Sequence, residues 1–273
     1  MYSTNTNKMM LDKAKQEPKT MVWWDINSCP VPDGYDASMV AQSIESALKK
    51  AGYTGPLTIT AIGNLKHTLK RTPGVLPAIS SSGILLKHVP DGFRDIFEEV
   101  IVWKRENPPP ATIMFITGDV KEVKRLSYAL SNVERHGYTL LQAFHQSASD
   151  LINNSEESTT TPLLLSKKCI WEKLLKDAID SGVTRRQEFE KKFFETGESP
   201  CRFFCTLCNF YGQRFEDFTT HLKGKDHIVR ELDLVSRPLP KRKLVKRIFT
   251  VSKYINKQTK DLNGWIEEDR MSL

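Results

Sequence analysis

The 273-residue chain predicts a mixed α/β fold, a parallel sheet flanked by helices, with a small Cys2His2 module behind it. Three observations point there. Short apolar runs alternate with helical patterns from residue 20 to about 175, as expected when crossover helices join parallel strands. Polar residues follow the ends of those runs: Asp25 and Asn27 after Val22-Trp23-Trp24, Asn64 after Ile62-Gly63, and Asp119 after Ile116-Thr117-Gly118. Near the C-terminus, Cys205, Cys208, His221 and His227 stand in the spacing C-x2-C-x12-H-x5-H.

In chain order, residues 1–19 are a polar leader without the apolar core of a signal peptide. Strands are expected at Thr20–Trp24, Leu57–Ile62, Gly83–His88, Ala111–Thr117 and Thr139–Ala143. Helices are expected between them at Met39–Ala51, Arg94–Glu106 and Val120–His136. Asn153–Pro162, rich in Ser, Thr, Glu and Asn, reads as a linker. Leu163–Cys169 then offers a last strand, Ile170–Ala178 and Thr184–Thr196 are helical, and Gly182 and Gly197-Glu198-Ser199-Pro200 punctuate the passage onward. The division is a leader at 1–19, an α/β domain at 20–152, linker and helices at 153–200, the Cys2His2 module at 201–230 and a basic tail at 231–273.

Composition narrows the class. At 39% hydrophobic residues the chain matches a soluble intracellular protein of two domains. No apolar run approaches the roughly twenty residues of a membrane span. Five cysteines, an odd number with metal spacing, argue for a reducing compartment over a secreted disulfide framework. The net charge of +7 is unevenly placed. Lys241, Arg242, Lys243, Lys246 and Arg247 open a stretch with no acid between Val235 and Thr259. Such a run binds polyphosphate by counterion release and carries no base information, and it doubles as a solvated face or a nuclear import signal at Lys241-Arg242-Lys243.

In the Cys2His2 segment, two thiolates from a hairpin and two imidazoles from the following helix complete a tetrahedral zinc shell. Phe204, Phe215, Phe218 and Leu222 supply its apolar core, with Phe218 and Leu222 on one helix face. Gly224 loosens the helix within the five-residue histidine gap, and Cys201 is a spare thiol. The stretch Cys205–Ile228, including His221-Leu222-Lys223-Gly224-Lys225-Asp226-His227, resembles the wide-loop fingers of the U1-like and double-stranded-RNA-binding type. That resemblance implies an RNA or protein contact module, with Lys223 and Lys225 toward nucleic acid; a purely structural knob is the alternative.

Asp25, Asn27, Asn64 and Asp119 gather at one rim if the strands are parallel, because ligands bind beyond their carboxyl ends. Carboxylates clustered there repel one another unless a hard divalent cation joins them, and the chemistry suited to such a rim is metal-assisted phosphodiester hydrolysis.

The run Val22-Trp23-Trp24-Asp25-Ile26-Asn27-Ser28-Cys29-Pro30-Val31-Pro32 resembles the opening of the NYN domain in its limkain-b1 or meiosis-arrest form. Ile116-Thr117-Gly118-Asp119, His88-Val89-Pro90 and Asn107-Pro108-Pro109-Pro110 match further motifs, and the likeness spans residues 20 to about 152. It implies a PIN-like parallel sheet flanked by helices and cleavage of RNA dependent on Mg2+ or Mn2+. Asp25 and Asp119 match metal-binding aspartates, and Glu99 lies where a helical aspartate is usual. There are departures: Asn27 stands where Glu is usual, Ser28 where Asn is usual, Asn64 where Asp is usual, and Gly118-Asp119-Val120-Lys121-Glu122 replaces G-D-x-D-F.

Two functions follow from this pattern. One is an endoribonuclease in which Asp25, Glu99 and Asp119 hold a metal while the module and tail hold RNA. The other is an inactive relative that binds RNA through Lys121 and Lys124, or a protein partner or second copy. A sugar-cleaving carboxyl pair lacks a cleft signature, and no G-x-G-x-x-G supports a dinucleotide site. His67, His88, His136 and His145 lack ligand spacing and are expected in core or surface positions. The basic run favours nucleus or cytoplasm; a peroxisomal location is implied only by limkain-type relatives.

Overall fold

The computed structural model describes residues 17–90, 96–147, 167–179 and 202–236. The chain divides into two compact units, residues 1–228 and 229–273. The first holds the strands β1 (Thr20–Asp25), β2 (Leu57–Gly63), β3 (Leu85–His88), β4 (Ala111–Ile116), β5 (Tyr138–Phe144), β6 (Lys167–Ile170), β7 (Phe203–Cys205) and β8 (Phe210–Gly212). They form one sheet in the order β6-β5-β4-β1-β2-β3-β7-β8. Every neighbouring pair is parallel except the hairpin β7–β8.

The central strands β1 and β4 are buried along their whole length, so they read as continuous apolar runs and not as alternating ones. The chain crosses between strands through α1 (Val40–Lys50), α2 (Leu65–Arg71), α3 (Val75–Ser81), α4 (Ile96–Glu106), α5 (Val120–Arg125), α6 (Ser127–Arg135) and α7 (Trp171–Ile179). On one face Trp24, Val40, Ile44, Ile116, Ala143 and Trp171 belong to a continuous core, with the Trp24 and Trp171 rings 5.3 Å apart. On the other, Trp23 meets Trp103 of α4 edge-on and stacks on Phe115.

Two expectations are corrected. The sequence pattern predicts no helix between β2 and β3, yet the segment folds as α2 and α3. Asn64 caps α2 by accepting the His67 N–H, and Pro77 falls in the first turn of α3, where its missing N–H costs nothing. The single helix expected over Val120–His136 breaks at Leu126 into α5 and α6. The strand expected from Leu163 is seen as Lys167–Ile170, and the helix expected at Thr184–Thr196 lies outside the described residues.

Two further helices, α8 (Phe215–Lys223) and α9 (Lys225–Ser236), follow the hairpin, with α9 continuing into the second unit. The hairpin itself is part of the sheet: β7 pairs with β3 in the register Leu86↔Phe203, Lys87↔Phe204, His88↔Cys205. No described helix is long and apolar enough to cross a membrane.

Candidate active-site rim and metal centre

β1 and β4 lie side by side and end together, so Asp25 and the Thr117-Gly118-Asp119 turn meet at one rim. The Asp25 carboxylate is buried and accepts four hydrogen bonds. Its Oδ1 takes the backbone N–H groups of Asn27 at 3.1 Å and Ser28 at 3.2 Å, and its Oδ2 takes the hydroxyls of Ser28 and Thr117. Burial nevertheless raises its pKa above the usual carboxylate value, against the lowering effect of those bonds.

The two loops interlock. Gly118 donates its N–H to Ser28 Oγ at 2.8 Å, and Asp119 donates its N–H to Thr117 Oγ1 at 3.1 Å. A Cβ on Gly118 would lie 2.8 Å from the Ser28 carbonyl oxygen, so glycine is what lets the loops close. Asp119 Oδ1 accepts the Glu122 N–H at 3.0 Å and so caps α5. Glu122 is itself buried and clasped by Arg125 in an ion pair, while Lys121 is exposed.

Of the three acids expected at the rim, the structure brings Asp25 and Asp119 together through Thr117. Glu99, on α4, is held 2.6 Å from Lys87 of β3. Lys87 pairs in register with Ile62, and Ile62 with Asp25, which places the Lys87 backbone two strands, about 10 Å, from that of Asp25. Asn64 caps α2 with its Oδ1, as Asp119 caps α5, and its N–H bonds Asn27 Oδ1 at 2.5 Å. Asn27 also reaches Thr68 Oγ1 at 3.2 Å, tying the β1 and β2 loops.

Sequence reasoning missed Ser28, Thr117 and His145. The last lies beside Gly118 at the end of β5, with Nε2 3.2 Å from Glu172. Nothing local in the sequence could have joined Ser28 to Thr117, because 89 residues separate them.

Among the described residues, one group of three or more potential metal donors converges: Cys205, Cys208, His221 and His227, with ligand atoms all within 4.8 Å of one another. The Cys205 and Cys208 sulfurs lie 3.6 and 3.4 Å from His227 Nδ1. A zinc tetrahedron with bonds of about 2.3 Å to sulfur and about 2.0 Å to nitrogen has sulfur–nitrogen edges of about 3.5 Å. The donor set therefore fits zinc. His221 stacks on Phe210 at 4.1 Å and buries its Nε2 without a hydrogen-bond partner, as a ligand nitrogen would. Without a metal, burial pushes the Cys205 thiol up to about 11, and a bound cation would reverse that.

This centre is built onto β3. The His88 carbonyl accepts both the N–H and the hydroxyl of Thr206 at 3.1 Å each. The His88 ring is fully buried, 5.1 Å from the His227 ring. Its Nδ1 accepts the Leu65 N–H at 3.1 Å, which leaves the ring proton on Nε2. Burial first, then the nearby His227, Lys66 and His221 charges, lower its pKa to about 3, so the ring is neutral at physiological pH.

The family model of the NYN domain matches residues 19–164, from the first strand into the segment before β6. The chain belongs to the NYN domain family. No curated protein matches it. The mostly parallel sheet flanked by helices agrees with a PIN-like NYN fold, and the NYN domain brings with it a nuclease-like, RNA-related function. Both interlocked loops of the rim, after β1 and after β4, fall inside the matched residues; the Cys/His centre falls outside them.

Proposed function

We propose that this NYN-domain chain is an RNA-associated, metal-dependent endoribonuclease with a reduced acidic centre. The observation that carries the reading is the interlock of Asp25, Ser28, Thr117 and Asp119 at the carboxyl ends of β1 and β4. Asp25 and Asp119 would hold Mg2+ or Mn2+, which supplies Lewis-acid activation of a phosphodiester and of water when bound. The residues around them position the two carboxylates: Ser28 and Thr117 fix Asp25, and the α5 cap fixes Asp119.

Cys205, Cys208, His221 and His227 bind structural zinc in this reading, and Lys223, Lys225 and the tail cations Lys241, Arg242, Lys243, Lys246 and Arg247 contribute sequence-independent phosphate contacts. Lys223 and Lys225 lie on the module's helices; the tail cations lie outside the described residues. A nuclear or cytoplasmic location accords with Lys241-Arg242-Lys243.

A second reading, an RNA-binding protein without cleavage, is favoured by one observation. Lys87 neutralises Glu99, the third expected acid, and leaves the rim with two. Incubating end-labelled RNA with purified protein, with and without added Mn2+, separates the readings. Cleavage that needs Mn2+ and disappears in an Asp25→Asn, Asp119→Asn double variant supports the nuclease. Binding without cleavage by the wild-type protein supports the second reading.

A further inference from the structure

The β7–β8 hairpin has two different faces. Phe203, Cys205 and Gly212 point toward the Cys/His centre and are buried, as strand alternation requires. Phe204, expected in the module's apolar core, stands instead opposite Tyr211 on the outer face, with ring centroids 4.5 Å apart, while Phe203 takes the core position against Phe215 and Phe218; Tyr211 is 66% exposed. Lys87 Nζ, ion-paired with Glu99, sits 4.8 Å from the centroid of the Phe204 ring, and Arg202, immediately before β7, is half-buried and forms no ion pair among the described residues. A large exposed ring is poor protection for a small hairpin, but it suits a planar ligand that stacks on it.

The register places this surface in one row with the rim. Asp25 pairs with Ile62, Ile62 with Lys87, Lys87 with Phe204, and Phe204 with Tyr211. Residues paired in this way point to one face of a sheet, so the four steps carry that face about 19 Å from the Asp25 backbone to that of Tyr211.

We infer that Tyr211 and Phe204 form a base-stacking platform for single-stranded RNA, with Arg202 as its phosphate contact, set to one side of the acidic rim. This rests on the RNA association proposed above and adds where the strand is held. An RNA single strand fits better than a duplex, because paired bases keep their faces inside the helix and only unpaired bases can stack on an exposed ring. The zinc-bound hairpin then serves as a lateral extension of the nuclease sheet that presents an aromatic surface, and need not read a groove.

The test is binding of an end-labelled short single strand and of a hairpin duplex by the full-length, zinc-loaded chain, read by fluorescence anisotropy over a salt series without added Mg2+ or Mn2+. Tyr211→Ala is expected to weaken single-strand binding roughly tenfold and duplex binding much less, with the salt slope unchanged because stacking releases no counterions. Tyr211→Phe, which keeps the ring, should bind like the wild type. Arg202→Ala should lower the slope for single strands by about 0.7. Zinc content measured on each variant confirms that the centre is intact. If the wild type binds RNA and intact Tyr211→Ala binds it equally well, the platform is wrong, the exposed ring belongs to a protein surface, and RNA association stands. Equal loss on single strand and duplex would also overturn the platform. A wild type that binds no RNA removes both inferences.

Discussion

At the scale of the residue, Asp25 pairs a charge with a place that disfavours charge. It is buried, and its pKa lies above the value of an unfolded aspartate, about 3.8, because desolvation outweighs four accepted hydrogen bonds. The folded state therefore binds the Asp25 proton more tightly than the unfolded state does. The favourable contribution of that proton is present at low pH and is lost as pH rises from about 3.8 through the raised folded value. An Asp25→Asn variant should remove this dependence and melt at or above the wild-type temperature at neutral pH, since the Ser28 and Thr117 hydroxyls can reorient around an amide. Thermal unfolding of both proteins at acidic and neutral pH checks this; a variant several degrees less stable at neutral pH would show that the carboxylate holds the loops for structural reasons. Asp25 and Asp119 were legible because each follows a run of strand residues. Lys87 as the partner of Glu99 was not, because the ion pair depends on how α4 crosses the sheet and no local pattern encodes that crossing.

At the scale of the element, the apolar runs gave five of the strands to within a few residues, since short buried strands need an unbroken stretch of large side chains. Helices α2 and α3 were hidden because each is only seven residues long and Gly74, with its left-handed backbone, separates them. The pairing of β7 with β3 lay beyond sequence reasoning for a different reason: more than a hundred residues separate the two strands, and a hairpin that completes a metal shell looks self-sufficient when read alone. That pairing changes what loss of the centre should do. In a Cys208→Ser variant, zinc should be lost and the hairpin should loosen, as structural metal binding is folding free energy for such a module. The effect should also reach β3, where Leu86 donates its N–H to the Arg202 carbonyl at 2.9 Å and the His88 carbonyl holds Thr206. Hydrogen exchange read by mass spectrometry should show faster exchange in peptides spanning Leu85–His88, while those spanning β1 and β4 keep wild-type protection. Unchanged protection across β3 would mean that the hairpin contributes nothing to the sheet it joins.

At the scale of the whole molecule, the charge is unevenly placed along the chain. The NYN-family region carries the rim, and the segment after α9 carries the densest run of cations in the sequence. Truncation before Lys241 removes Lys241, Arg242, Lys243, Lys246 and Arg247, and should lower the salt slope for single-stranded RNA by as much as about 3.5 if each of the five meets a phosphate. Anisotropy titrations over a salt series measure it, and an unchanged slope would assign those cations to something other than RNA. The sheet itself has one more property at this scale. Among the described residues β3 has the hairpin as its neighbour on the outer side, and the hairpin carries two of the four converging Cys/His donors. Were the hairpin to detach on loss of a bound metal, a row of backbone donors and acceptors on β3 would face solvent next to buried leucine and isoleucine, the template on which a second chain adds a strand. If the centre binds zinc as proposed, its supply would set how that flank behaves: closed by the hairpin when the metal is plentiful, and self-adhesive, prone to chain-to-chain β-pairing, when it is scarce.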